Sequence, residues 1–212
     1  MSGIHQLILG YVVTGGFYKS QLTKGFFSGG STGSYLATAD RTTYATETTA
    51  AVSGANLSQA RNGLAAAGNT EKGFFSGGYT GSYLATADRT TYSTETTAAV
   101  SGANLSQARN GLAAAGNVDK GFFSGGSTGS ILVATADRTT YSTETTAAVS
   151  GANLSQARYF LAAAGNVDKG FFSGGYTGAL VATADRTTYA TETTAAVSGA
   201  NLSQARYFLA AA

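Results

Sequence analysis

An all-β fold made of four-stranded antiparallel units is the class this sequence predicts, on three observations. A block of about fifty residues recurs four times, Gly and Asn cut each copy every eight to twelve residues, and Thr, Tyr, Phe and Val fill the stretches between. β-Branched and aromatic side chains suit a pleated, half-buried surface, and stretches this short leave little room for a helix.

The chain carries enough apolar material for a core: 43% of its 212 residues are hydrophobic and 11% aromatic, too many for a sequence that stays disordered. Charge narrows the partners. Thirteen Lys and Arg are diluted by eleven Asp and Glu at regular intervals, so the concentrated basic face that nucleic acid needs is missing and no nucleic-acid partner is expected. With no cysteine there is no disulfide framework, thiol nucleophile or thiolate metal site, and the compartment is left open.

Residues 1–23 stand outside the repeat and read as an N-terminal leader, either an extra strand or a docking segment. The apolar run at residues 7–13 is too short to span a bilayer and lacks the basic flank and cleavage site of a signal peptide. It reads as a strand, and no membrane insertion is expected.

The repeat fills residues 24–212. The block KGFFSGG starts at Lys24, Lys72, Lys120 and Lys169, with spacings of 48, 48 and 49. The odd residue falls in copy three, where SILVATAD replaces SYLATAD and stretches the interval from the second Gly of GG to the Asp of ADR from ten positions to eleven. A bulge or a loop change is expected there. Each copy offers four segments: ARNGLAAAG or ARYFLAAAG, then KGFFSGG, YLATADRTTY and ETTAAVSGANLS. The first also reads as a helix with Ser at its N-cap, but Gly63 and Gly111 lie inside it, and an interior Gly costs roughly 1 kcal/mol relative to Ala, so strand is the expectation. The glycine pairs at 29–30, 77–78, 125–126 and 174–175 predict positive φ or a close backbone approach.

The run LSQAR, a small apolar strand, a strand closing on the double glycine, and the downstream Tyr44, Tyr92, Tyr141 and Tyr189 together resemble the kelch repeat over nearly all of residues 24–212. That resemblance implies a β-propeller with one four-stranded blade per repeat. The sequence departs from the family where kelch blades usually carry Trp: Ala51, Ala99, Ala148 and Ala196 stand there, which marks a divergent variant. The repeats are also similar to the Gly- and Thr-rich kelch-like repeats of phage and cyanobacterial virion or tail proteins, which implies association with a virion. Physically, blades rich in Ala, Gly, Ser and Thr let twisted sheets approach closely and bury faces that one sheet alone leaves open.

The repeated portion starts at a second strand and stops after a first strand, so four blades closed by pairing of residues 205–212 with the N-terminal blade are expected. A degenerate fifth blade from residues 5–23 and a larger ring shared by several chains are the alternatives. Near-identical copies fit one another's slots almost equally well, so a homo-oligomer is allowed.

Catalysis is not expected. All eleven acids and twelve of the thirteen basic residues occupy repeated slots, only Lys19 and His5 lying outside, whereas an enzyme needs neighbouring groups tuned to different pKa values. One histidine supplies neither a Ser-His-Asp triad nor a His-rich metal site, no acidic loop resembles a calcium loop, and no cofactor is implied. The Asp-Arg pairs of ADR, with Arg41, Arg89, Arg138 and Arg186, read either as ligand contacts or as ties to a neighbouring blade; adjacent strand residues point to opposite faces, which favours the ties. Asn-Leu-Ser at Asn56, Asn104, Asn153 and Asn201 forms glycosylation sequons that read instead as turn markers, and the RTTY and TETT runs read as exposed β-surface.

What varies among the copies is concentrated. The residue after GG alternates Ser31, Tyr79, Ser127, Tyr176, and the pair after QAR is Asn-Gly in two copies and Tyr-Phe in Tyr159–Phe160 and Tyr207–Phe208. Loops gather on one face of such a fold, and Tyr offers an apolar plate with a hydroxyl. The function expected is a non-catalytic binding module, carbohydrate-binding or adhesive to a host surface, with Tyr79, Tyr176, Ser31 and Ser127 as contacts and the four ADR arginines as weaker ones. Repeated shallow sites add avidity. The rival is a structural or protein-interaction scaffold.

Overall fold

The computed structural model describes residues 23–211, so the leader with its expected strand, His5 and Lys19 lies almost wholly outside the described residues. Four antiparallel sheets follow one another along the chain. The first holds β1 (Lys24–Ser28), β2 (Ala39–Thr43) and β3 (Thr48–Ala51). The second holds β4 (Ala65–Gly68), β5 (Lys72–Ser76), β6 (Ala87–Thr91) and β7 (Thr96–Ala99). The third holds β8 (Ala113–Gly116), β9 (Lys120–Ser124), β10 (Ala136–Thr140) and β11 (Thr145–Ala148). The fourth holds β12 (Ala162–Gly165), β13 (Lys169–Ser173), β14 (Ala184–Thr188) and β15 (Thr193–Ala196).

These are the four segments read from the sequence, and AAAG is a strand in each complete copy, not a helix. Register repeats too: Phe74 faces Arg89 and Phe75 faces Asp88 across β5 and β6, as Phe122 faces Arg138 and Phe123 faces Asp137 across β9 and β10. The extra residue of copy three leaves both ladders untouched. It lengthens the loop between them, where Ser127 bridges Leu132 in place of the Tyr79–Tyr83 pairing of copy two.

The sheets stack face to face, with β4 beside β8 and β8 beside β12. Small side chains permit the approach. A Cβ on Gly121 would lie 2.6 Å from the Tyr141 hydroxyl and 2.7 Å from Ala67 Cβ of the neighbouring sheet, below real contact distances. Gly121→Ala is therefore expected to lower stability by about 1–3 kcal/mol through overpacking, read as a lower urea midpoint at unchanged slope; an unchanged midpoint would mean the sheets are not held this close.

Each junction between sheets is made by the same set of ties. The connector after each outer strand, with a short 3-10 turn such as Ser53–Ala55, runs back over its own sheet, where Asn56 Oδ1 accepts the Ala39 N–H at 3.0 Å. Asn104, Asn153 and Asn201 repeat this bond, so the sequon asparagines anchor the connectors. From the connector Arg61 reaches into the next sheet, donating to Asp88 Oδ2 at 2.7 Å and to the carbonyls of Gly77 and Thr86, with both side chains of the pair fully buried. Arg109–Asp137 at 2.8 Å and Arg158–Asp185 at 2.9 Å do the same at the following junctions. Burial pulls these three guanidinium pKa values below the ordinary value, while the partner Asp pushes back on each.

A second ion cluster lies at the other end of each junction. Glu144 accepts from Lys72 and from Arg89 of the preceding sheet, each at 2.8 Å, and Glu95 and Glu192 are held likewise by Lys24 with Arg41 and by Lys120 with Arg138. Hydrogen bonds from Lys24 and Arg41 hold the Glu95 carboxyl below its usual range; at Glu144 and Glu192 burial pushes upward, but the Lys and Arg bonds outweigh it. All three glutamates sit at positive φ, 53° to 54°, a conformation that costs an L-residue about 1 kcal/mol; Glu47 of the first sheet takes the same φ of 53° with no ion pair among the described residues, so the turn sets this backbone and the ion pairs do not. Finally, Phe26 stacks on Tyr92, Phe74 on Tyr141 and Phe122 on Tyr189, with centroids 5.3, 5.5 and 5.6 Å apart.

One expectation is corrected. The threonines of RTTY are not all surface: Thr90, Thr139 and Thr187 are fully buried. Each bonds a threonine of the outer strand at 2.7 Å, as Thr90 does Thr97, and Thr97 in turn donates to the Ala55 carbonyl of the previous sheet, so the buried hydroxyl is satisfied. The expected closing ladder is also not among the pairings of the described residues: among them the first sheet has three strands, and residues 205–211 carry no strand.

Candidate functional site

The double glycines build the site. Gly77 and Gly78 both take positive φ, 75° and 107°, and this turn swings Tyr79 against Asn62, the residue after QAR. The two exchange backbone hydrogen bonds of 3.1 and 2.9 Å. Asn110 with Ser127 and Tyr159 with Tyr176 pair in the same way. The two positions that vary among the copies are thus direct neighbours on one face.

Behind each pair comes the second variable residue. Gly63, Gly111, Phe160 and Phe208 form a column, each amide from Gly111 onward donating to the carbonyl of the residue before it in the column, at 2.8, 2.6 and 3.0 Å. All four adopt left-handed φ, between 53° and 64°, which suits Gly and strains Phe. In the latter two copies the chain accepts that strain and gains aromatic rings. Phe160 and Phe208 lie 4.0 Å apart, Tyr159 and Tyr207 flank them at 4.3 and 4.6 Å, and Tyr176 contacts Tyr159 and Tyr207 at 5.8 and 6.3 Å. Phe208 is 66% exposed and Tyr207 43%.

A cavity of about 400 Å³ opens beside this cluster, lined by Asn62, Asn110, Leu112, Phe160, Leu161 and Phe208 among others, none of them charged. It offers flat apolar plates and side-chain amides, a surface for a neutral ligand with an apolar face and hydroxyls at its rim. No family model matches the chain. No curated protein matches it either.

Tyr176 belongs to this cluster. Tyr79 belongs to a separate trio with Tyr35 and Tyr83, at 5.8 and 5.0 Å in edge-to-face contact. Ser31 Oγ and Ser127 Oγ accept the N–H of Gly33 and Gly129 at 3.2 and 3.1 Å, which closes local turns. Arg41, Arg89 and Arg138 are engaged with glutamates of the next sheet, while Arg186 has no ion pair among the described residues. Phe160, Phe208, Asn62 and Asn110 were not among the contacts expected from sequence. Their signal was there in the Asn-Gly against Tyr-Phe difference, but nothing in the sequence placed that difference beside the residue after GG.

Proposed function

We propose that the four sheets are blades of a kelch-like propeller and that the protein is a non-catalytic carbohydrate-binding module, adhesive to a glycan-bearing surface, with Phe160, Phe208, Tyr159, Tyr176 and Tyr207 as its principal platform. The observation that carries this reading is the pair of phenylalanines held in left-handed backbone where the equivalent residues are Gly63 and Gly111. Strain retained at an aromatic position that is exposed at Phe208 and half-buried at Phe160 points to a role for the ring beyond folding. The absence of charge around the cavity favours a neutral sugar over an anionic ligand.

The test is a glycan array, followed by titration of any hit against Phe160→Gly and Phe208→Gly. Glycine is native to the same slot in two copies and relieves the strain, so these variants are expected to fold at least as well as the parent and to lose tenfold or more in affinity, about 1.4 kcal/mol. Tyr176→Ala is expected to act in the same direction. An array without selective binding, or full affinity in Phe160→Gly, overturns the proposal. A structural or protein-interaction role is the second reading, supported by the end faces of the first and last sheets, which no further sheet covers among the described residues.

A further inference from the structure

Every tie that joins one sheet to the next has two halves, and the two ends of the stack each carry one half. The first sheet presents Asp40, Tyr44, Glu47 and Thr49, all exposed. Their counterparts Asp88, Asp137 and Asp185 are fully buried against arginines, Tyr141 and Tyr189 are 1% exposed beneath phenylalanines, and Glu95, Glu144 and Glu192 are ion-paired, whereas Tyr44 is 48% exposed. The last sheet and its connector present Lys169, Phe171, Arg186 and Arg206, the residues that at the internal junctions hold Glu, Tyr, Glu and Asp. Among the described residues none of these end groups has its ion-pair or stacking partner. One face carries two acids and the other three cations.

We propose that the two end faces are the halves of one heterologous interface, and that a second copy of this chain docks on them head to tail. The interface would repeat the internal junction: Arg206 to Asp40, Lys169 and Arg186 to Glu47, Phe171 on Tyr44. The internal junctions are nearly invariant, with buried pairs at 2.7, 2.8 and 2.9 Å and ring stacks at 5.3, 5.5 and 5.6 Å, so a fourth junction needs a body presenting the same sheet in the same geometry, which another copy supplies. The chain's own opposite end does not supply it: among the described residues no ion pair or ring stack joins the first and last sheets. Residues 1–22 contain neither Asp nor Glu and so offer no acid for Lys169, Arg186 and Arg206. Two copies bring eight sheets, within the blade number of known propellers, and a heterologous contact closes into a ring when its rotation permits and otherwise extends. This inference rests on reading the sheets as equivalent blades and not on the ligand.

Sedimentation of the full chain over a wide concentration range tests it, together with two end variants: Asp40→Arg/Glu47→Lys on the head and Lys169→Glu/Arg186→Glu/Arg206→Asp on the tail. The parent is expected to show a concentration-dependent mass of twice 21.3 kDa or more, and each variant alone the single-chain mass. Mixing the two variants is expected to restore assembly, because each keeps one native end and the reversed ends also match. A parent that stays at 21.3 kDa throughout, or variants that assemble like it, overturns the proposal. Phe171→Ala, which changes no charge, is the second probe and is expected to weaken assembly in the same direction. Glycan binding is read separately on the single-chain variants, so failure of assembly and failure of the carbohydrate reading are distinguishable.

Discussion

Asp137→Ala is expected to destabilise the fold by about 3–5 kcal/mol, while Asp40→Ala, the same change in the first copy, is expected to stay within about 0.5 kcal/mol when measured on the single chain. The two aspartates share a sequence context and differ in their surroundings. Asp137 is fully buried, accepting from Arg109 at 2.8 Å and from the Ser106 amide at 3.2 Å; Asp40 is exposed, with no arginine against it. Removing Asp137 leaves a guanidinium without its counter-charge in a site that water does not reach, and that stranded charge, not the lost contact, makes up most of the cost. A paired change separates the two contributions. Arg109→Leu/Asp137→Leu removes both charges and is expected to recover much of the loss, because a buried ion pair contributes little net stability over apolar groups of similar size. Urea midpoints of the four proteins decide the matter: equal losses at Asp137 and Asp40 would show that the junctions do not depend on these pairs.

The contrast between Asp40 and Asp137 also marks how far the sequence could be read. The strands, their order and the place of the extra residue in copy three follow from punctuation by Gly and Asn and from alternation, because these are local effects. The ADR pair was readable in part. Opposite facing of adjacent strand residues separates Asp88 from Arg89, and the structure sends Asp88 to Arg61 and Arg89 to Glu144. Which acid meets which base was not readable, since the repeat carries Lys, Arg and Glu in several slots and only the path of the connector over its own sheet selects among them. Burial of Thr90 escaped for a similar reason: a threonine looks like surface until the hydroxyl of Thr97 and the Ala55 carbonyl are placed around it.

For the candidate site, comparison of the copies found the residues but not their assembly. Tyr79 and Tyr176 stood out as variable, and so did the Tyr-Phe pairs, yet the neighbourhood that joins Tyr176 to Tyr159 depends on two successive glycines at positive φ, 68° and 106° at Gly174 and Gly175. The left-handed backbone of Phe160 had one cue, the Gly63 and Gly111 that fill the same slot in earlier copies. An aromatic in a slot that elsewhere needs glycine is a signal of strain that a repeat protein makes visible.

Stability is expected to fall steeply from pH 10 upward, ahead of any titration in the folded protein. Burial, with a further contribution from Tyr44, pushes the Tyr92 pKa up to about 12 from an ordinary value of 10.0. Burial drives Tyr141 and Tyr189 further in the same direction, reinforced at Tyr141 by its neighbours Tyr92 and Tyr189. The unfolded chain releases these phenolic protons near pH 10, whereas the folded chain keeps them, so the unfolded state binds fewer protons in this window and gains at the folded state's expense. The stabilisation is fully present below pH 10 and is lost as pH climbs toward the folded values, by at most about 1.4 kcal/mol per pH unit for each tyrosine. The same three rings lie under Phe26, Phe74 and Phe122, so the loss falls on the contacts that hold the sheets together. Tyr141→Phe keeps the ring and removes the titrating group. It is expected to flatten the alkaline limb of the midpoint-against-pH curve while leaving neutral stability equal to or above the parent, because the Tyr141 hydroxyl is buried with no protein partner among the described residues. A parent curve that stays level from pH 9 to 12, or an alkaline limb equally steep in Tyr141→Phe, would place these tyrosines in contact with solvent and undo the packing argument for the junctions.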